Sequence, residues 1–168
     1  LAKASLQDDR AQMFRVGDPQ GEYGLRRAIS HYLYQARGVN ARPEQIIVGA
    51  GNDYLLMLLS TVIGRDHKVA LENPTYKQAY RLFQRLSYDV CTVDMDAKGM
   101  EVTGLQGSKA DIAFVMPSHQ YPLGIVMPMK RRMELLGWAA ENPKRYIIED
   151  DYDSEFRYKG KPIPAMQG

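Results

Sequence analysis

Short apolar runs of strand length alternate with longer helix-forming stretches through most of the chain, and no other feature limits its possible folds as much. From Leu25 to about Gln35 the spacing predicts a helix. Leu25, Ile29, Tyr32 and Leu33 share one face, Gly24 precedes it and Gly38 lies past its end. Arg42-Pro43-Glu44 reads as a turn, and Ile46-Ile47-Val48 as a short buried strand. Asn52 or Asp53 can cap a second helix, Tyr54 to Ile63, which is apolar almost all round and is therefore expected to be buried. Further strands are expected at Val69–Leu71, Asp89–Val93, Ile112–Val115 and Tyr146–Ile148. Helices are expected from about Tyr76 to Leu86 and from Lys130 to Ala140.

This order predicts an α/β fold: a doubly wound, mostly parallel sheet flanked by helices on both faces. In such sheets ligands gather at the carboxyl ends of the strands. The polar and glycine-bearing segments fall there: Gly49–Asp53, Asn73–Tyr76, Ser118–Gly124 and Glu149–Asp153. Each of these expected strand ends carries its own chemistry. There is no internal repeat and no low-complexity tract.

Composition narrows the function classes. Of 168 residues, 45% are hydrophobic and 25% charged, which excludes disordered and fibrous chains. The single cysteine, Cys91, excludes an internal disulfide and a multi-thiolate metal centre, and it favours a reducing, cytoplasmic setting. The net charge of +2 comes from 22 basic and 20 acidic residues without long blocks. This segment thus has no electrostatic reason to bind nucleic acid or a membrane surface. No apolar run reaches the ~20 residues of a spanning helix. The start is polar from Gln7 to Arg10, so no signal peptide is expected. Opening on Leu1 and closing on Pro162–Gly168 with no element to end on, the chain reads as a fragment.

Gly49-Ala50-Gly51-Asn52-Asp53 joins a strand to a helix, where glycines and the helix start suit a phosphate; tight packing alone also explains such glycines. Tyr76, just after a strand, is either a packed helix-start residue or a platform for a heteroaromatic ring. His119, in the proline-bounded loop Met116–Gly124, is a hydrogen-bond partner, a general base or simply structural. Glu149, Asp150, Asp151 and Asp153 crowd the end of a buried-type strand, which suits a cationic ligand or a metal. No clear His/Asp partner set accompanies them, so a metal has little support.

Several strings together resemble a known family. They are Gly17-Asp18-Pro19-Gln20-Gly21, Leu25-Arg26, Arg37-Gly38-Val39, Gln45–Val48 with Gly51, and Asn73-Pro74-Thr75-Tyr76. Most distinctive are Pro117-Ser118-His119-Gln120-Tyr121-Pro122-Leu123-Gly124 and the run from Glu149-Asp150-Asp151-Tyr152 to Tyr158. The chain is similar, over nearly its whole length, to the aminotransferase-like domain of MocR-type regulators, a branch of the GntR transcription factors. The resemblance implies a fold-type-I large domain that binds pyridoxal 5'-phosphate and pairs as a homodimer. It also implies a winged helix-turn-helix domain elsewhere in the protein, a small amino-compound effector, and DNA contact only through that winged helix.

The resemblance also assigns roles. Asp150 pairs with the pyridine nitrogen, Tyr152 with the phenolic oxygen, Tyr76 stacks on the ring, and Gly51, Asn52 and Asp53 form the phosphate turn; His119 joins them in the cofactor site. A carboxylate beside the ring nitrogen keeps it protonated and the ring electron-withdrawing. Three positions depart from the family. Asn52-Asp53 brings a carboxylate toward an anion, Val16 stands where an aromatic is common, and Tyr121 occupies the place of an asparagine in ordinary aminotransferases. The lysine that carries the cofactor is expected after Gly168, since Lys159 and Lys161 lie too close to Asp150. No catalytic residue is therefore assigned within residues 1–168, which read as part of the large domain. An amino-acid aminotransferase using the same site for turnover is the competing reading.

Overall fold

In the computed structural model, residues 16–154 and 164–167 are described. Lys159, Lys161 and the stretch from Glu155 to Tyr158 lie outside them. Five strands form one sheet: β1 (Lys68–Asn73), β2 (Asp89–Asp96), β3 (Gly99–Met100), β4 (Ile112–Val115) and β5 (Tyr146–Glu149). Their order is β3-β2-β1-β4-β5, with only the short β2–β3 pairing antiparallel. After β1 the chain adds β2 on one side, then returns to add β4 and β5 on the other. The doubly wound expectation is met, and its switch point lies between β1 and β4.

The strand sequences account for their places. Val69-Ala70-Leu71 and Ile112-Ala113-Phe114-Val115 are continuous apolar runs buried on both faces, as central parallel strands require. Alternation sends Val69, Leu71, Ile112 and Phe114 to one core, with Leu56, Ala79 and Phe83. It sends Ala70, Ala113 and Val115 to the other, with Leu105, Leu135 and Trp138. The first core is roofed by helices α2 (Asn52–Ile63) and α3 (Lys77–Arg85), the second by α4 (Val102–Ser108) and α5 (Met129–Ala140). The hairpin to β3 and the helix α4 are additions to the expected elements.

Four expectations need correction. Ile46 is extended, but Ile46–Val48 joins no strand of the sheet. Its backbone is matched to Gln20 instead: the Val48 N–H donates to the Gln20 carbonyl (2.9 Å), and the Gln20 amide donates to the carbonyls of Glu44 and Ile46. Helix α2 begins earlier than expected, with Gly51 at the cap and no side-chain cap bond, so neither Asn52 nor Asp53 caps it. Gly51 holds φ at 96°, a conformation that costs glycine little. Nor is α2 buried all round: Leu56 and Ser60 are buried, whereas Tyr54, Leu55, Met57 and Val62 are exposed.

Helix α1 (Tyr23–Tyr32) continues through a wider π turn, Leu33–Arg37, and stops at Gly38. Its packed side also differs from the expected one. Leu25 and Tyr32 are exposed, while Arg26 and Arg37 are buried. Arg26 is accommodated by the Gly21 and Pro43 carbonyls and by Asp18 at 2.8 Å. Among the described residues, no helix is long and apolar enough to cross a membrane, and no His/Cys/Asp/Glu group is arranged to hold a metal ion.

Candidate functional site

A cavity of about 620 Å³ opens at the switch point. Gly51, Asn52 and Leu55 of the α2 start form one wall, Tyr76 and Tyr121 another, and Met116, Asp150, Asp151 and Tyr152 the floor. The carboxyl ends of β1, β4 and β5 thus converge on one space, while the Gly51 turn enters from a non-strand segment.

Asp150 follows β5 directly, and its N–H donates to the Val115 carbonyl at 2.9 Å, so the register of β5 on β4 fixes its position. One carboxylate oxygen accepts the Asn52 amide at 3.1 Å. Burial pushes the Asp150 carboxyl above its ordinary value; the Asn52 bond and the Tyr152 N–H pull it down, and the Asp151 charge pushes it further up. Asp150 has no cationic side chain within ion-pair distance among the described residues. A half-buried carboxylate without a counter-charge, facing a cavity, is a receptor for a cation.

Aromatic rings shape the rest. Tyr76 and Tyr121 meet edge to face at 6.0 Å, and Tyr76 bonds Gln78 through its hydroxyl. His119 stacks on Tyr152 at 5.7 Å with the planes 12° apart, supporting that ring from behind the cavity wall. Burial, then the charges of Asp153 and Asp150, push the Tyr152 phenol up, so it stays a hydrogen-bond donor at neutral pH.

Of the residues singled out from the sequence, Gly51, Asn52, Tyr76, Asp150 and Tyr152 line the cavity together. His119 touches it through Tyr152. Asp53 sits exposed in the first turn of α2, off the cavity wall, so its charge is not aimed at an anion there. The Asn52 amide is committed to Asp150, and the Gly51 turn that lines the cavity leads directly into the start of α2.

Two residues carry more of the site than their sequence context revealed. Gln120 is buried, its amide donating to the carbonyls of Pro74 (2.9 Å) and Tyr121 (2.7 Å) while its oxygen accepts the Leu123 N–H. It ties the Tyr76 and Tyr121 loops to each other. Glu72, fully buried at the end of β1, accepts the Met116 N–H, and burial pushes its carboxyl up to about 7. Both stand two residues before a proline, a signal of constraint but not of partner.

Residues 1–164 match the family described as aminotransferase class I and II. The chain belongs to that family. Its fold is that of the fold-type-I, pyridoxal-phosphate-dependent aminotransferases, and an archaeal alanine:glyoxylate aminotransferase superposes with a TM-score of 0.85 at 27% identity, over 99% of this chain and 43% of that one. Among curated relatives, the HTH-type transcriptional regulator YdeL of Bacillus subtilis (strain 168) is 42% identical over 98% of this chain and 35% of its own. The probable rhizopine catabolism regulatory protein MocR of Rhizobium meliloti is 35% identical over 99% of this chain and 33% of its own. The chain spans about a third of the length of these curated relatives.

The cavity suits the cofactor of this family. A planar, phosphate-bearing pyridinium needs an anion-binding turn, an aromatic wall and a carboxylate; Gly51, Tyr76 and Asp150 supply these around one space.

Proposed function

We propose that this chain is the cofactor-binding part of the effector-sensing, aminotransferase-like domain of a GntR/MocR-type transcriptional regulator. The observation that carries the reading is the uncompensated Asp150 carboxylate on the floor of an aromatic-walled cavity at the switch point. Similarity to regulators at 42% and 35% identity, against 27% for the aminotransferase structure, favours sensing over turnover.

In this reading Asp150 holds the ring nitrogen protonated, Tyr152 donates to the phenolic oxygen, Tyr76 covers the ring face, and the Gly51 turn holds the phosphate. Pyridoxal phosphate, when bound, supplies an electrophilic carbon for an amino compound. The chain's own residues orient the ring, and Met116 and the tyrosines limit water around it. His119 and Gln120 keep Tyr152 and the loops in place. The lysine that carries the cofactor and the winged helix that reads DNA belong to further parts of the whole, cytoplasmic protein. A homodimer is part of the reading, and the exposed apolar side of α2 (Val62 is 81% exposed) is the surface available to a second copy.

The test uses the full-length protein on DNA from upstream of its own gene, followed by fluorescence anisotropy. Binding should change when pyridoxal phosphate and one of the common amino acids are present together. Absence of DNA binding combined with steady turnover of an amino acid with a keto acid would favour the aminotransferase.

A further inference from the structure

At the end of β5 three carboxylates, Glu149, Asp150 and Asp151, lie near two buried guanidiniums, Arg37 and Arg132. Arg132 is committed to backbone: it donates to the carbonyls of Met127 (3.0 Å), Pro117 (2.9 Å) and Pro164 (2.7 Å). Glu149 accepts the Met166 N–H at 2.9 Å. Asp151 has one buried oxygen with no partner, and its other oxygen lies 2.6 Å from Arg37. The same Arg37 nitrogen donates to the Ser118 hydroxyl at 3.1 Å, and the Arg37 carbonyl accepts the Ala165 N–H. Arg37 is 2% exposed, so this contact is made out of water, where an unpaired charge is costly.

We propose that Arg37 is a positioning residue for the cofactor site: by pairing with Asp151 and bonding Ser118 it holds the strand end so that Asp150, and not its neighbour, presents the uncompensated charge to the cavity. The inference rests on the reading of Asp150 as the partner of a pyridinium. Arg37 comes from the turn after α1, Ser118 from the loop after β4, and Asp151 from the end of β5, so one guanidinium joins three segments around the site. The groups that face Asp150 are Asp151 and Tyr152 on its own segment, Asn52 from α2, Tyr76 at the start of α3, and Tyr121 after β4. Without Arg37, the full charge of Asp151 would disfavour ionisation of Asp150.

The experiment is a titration of full-length protein with pyridoxal phosphate, read by visible absorbance from about pH 6 to about pH 9, comparing variant with wild type at each pH. Arg37→Gln should weaken uptake about tenfold near neutral pH, with the deficit shrinking as pH rises and Asp150 ionises despite its neighbour. Adding Asp151→Asn to that variant should restore affinity to within about threefold of wild type, because the offending charge is gone. Arg37→Lys, which keeps a positive charge beside Asp151, should lose less affinity than Arg37→Gln and show no pH-dependent deficit, and it carries the test if Arg37→Gln does not fold. Equal, pH-independent weakening in Arg37→Gln and the double variant would overturn the proposal in favour of a purely structural arginine. So would unaltered affinity in Arg37→Gln, or the same pH-dependent deficit in Arg37→Lys as in Arg37→Gln. A wild-type protein that takes up no cofactor would sink the cofactor reading itself, and this inference with it.

Discussion

At the scale of single residues, buried charge decides most of what the site can do. Glu72 shows the cost. Its carboxyl holds a proton up to about 7 in the fold, against an ordinary 4.5, so between those values the folded chain binds more protons than the unfolded one. Stability should therefore fall as pH rises through that window, by about 3 kcal/mol if the full shift is expressed. Glu72→Gln removes this ionisation, so its urea-unfolding midpoint should fall less than the wild-type midpoint from about pH 5 to about pH 8. A wild-type midpoint that does not move would contradict the burial of an ionisable Glu72. Much at this scale was legible beforehand: Asp150, Tyr152, Tyr76 and Gly51 stood out because each is an odd residue at an expected strand end, and they do share one cavity. Arg37 and Gln120 stood within the strings that carry the resemblance, but no role followed for either. Their roles depend on partners 81 and 46 residues away, Ser118 and Pro74, and no local pattern encodes those. Asp53 lies off the cavity wall beside Asn52, which lines it, because adjacency in sequence does not decide which way a helical side chain points.

At the scale of elements, strands were read better than the segments leading to them. Val69–Leu71 and Ile112–Val115 are apolar on both faces, and that pattern is specific to central parallel strands. Ile46–Val48 has the same apolar character, yet Gln20 satisfies its backbone and Ile47 is exposed. A polar residue far away in sequence competed with the sheet and won. The helix α2 misled differently: an all-apolar helix signals burial, but its outer side is covered by nothing among the described residues. The turn that seats Gln20 offers a test. Gly21 has φ of 99°, and a methyl group there would lie 2.6 Å from the Val48 β-carbon. Gly21→Ala should lower stability by about 1–3 kcal/mol, seen as a lower Tm. A melt superimposable on wild type would show that the Gly21–Val48 approach is not constraining.

At the scale of the whole molecule, alternation of strand and helix made the doubly wound architecture legible, but not the strand order, since nothing local says on which side of β1 the chain returns. That return creates the switch point and, with it, the cavity. The near-neutral charge of +2 likewise describes only the 168 residues read. The central claim is that Asp150 makes this cavity a seat for pyridoxal phosphate, and it is most directly tested by cofactor retention. Full-length protein saturated with pyridoxal phosphate and then dialysed should keep its visible absorbance, and Asp150→Ala should lose most of it, with affinity lower by about a hundredfold for a lost charge-assisted pair. Equal retention by wild type and Asp150→Ala would contradict the account.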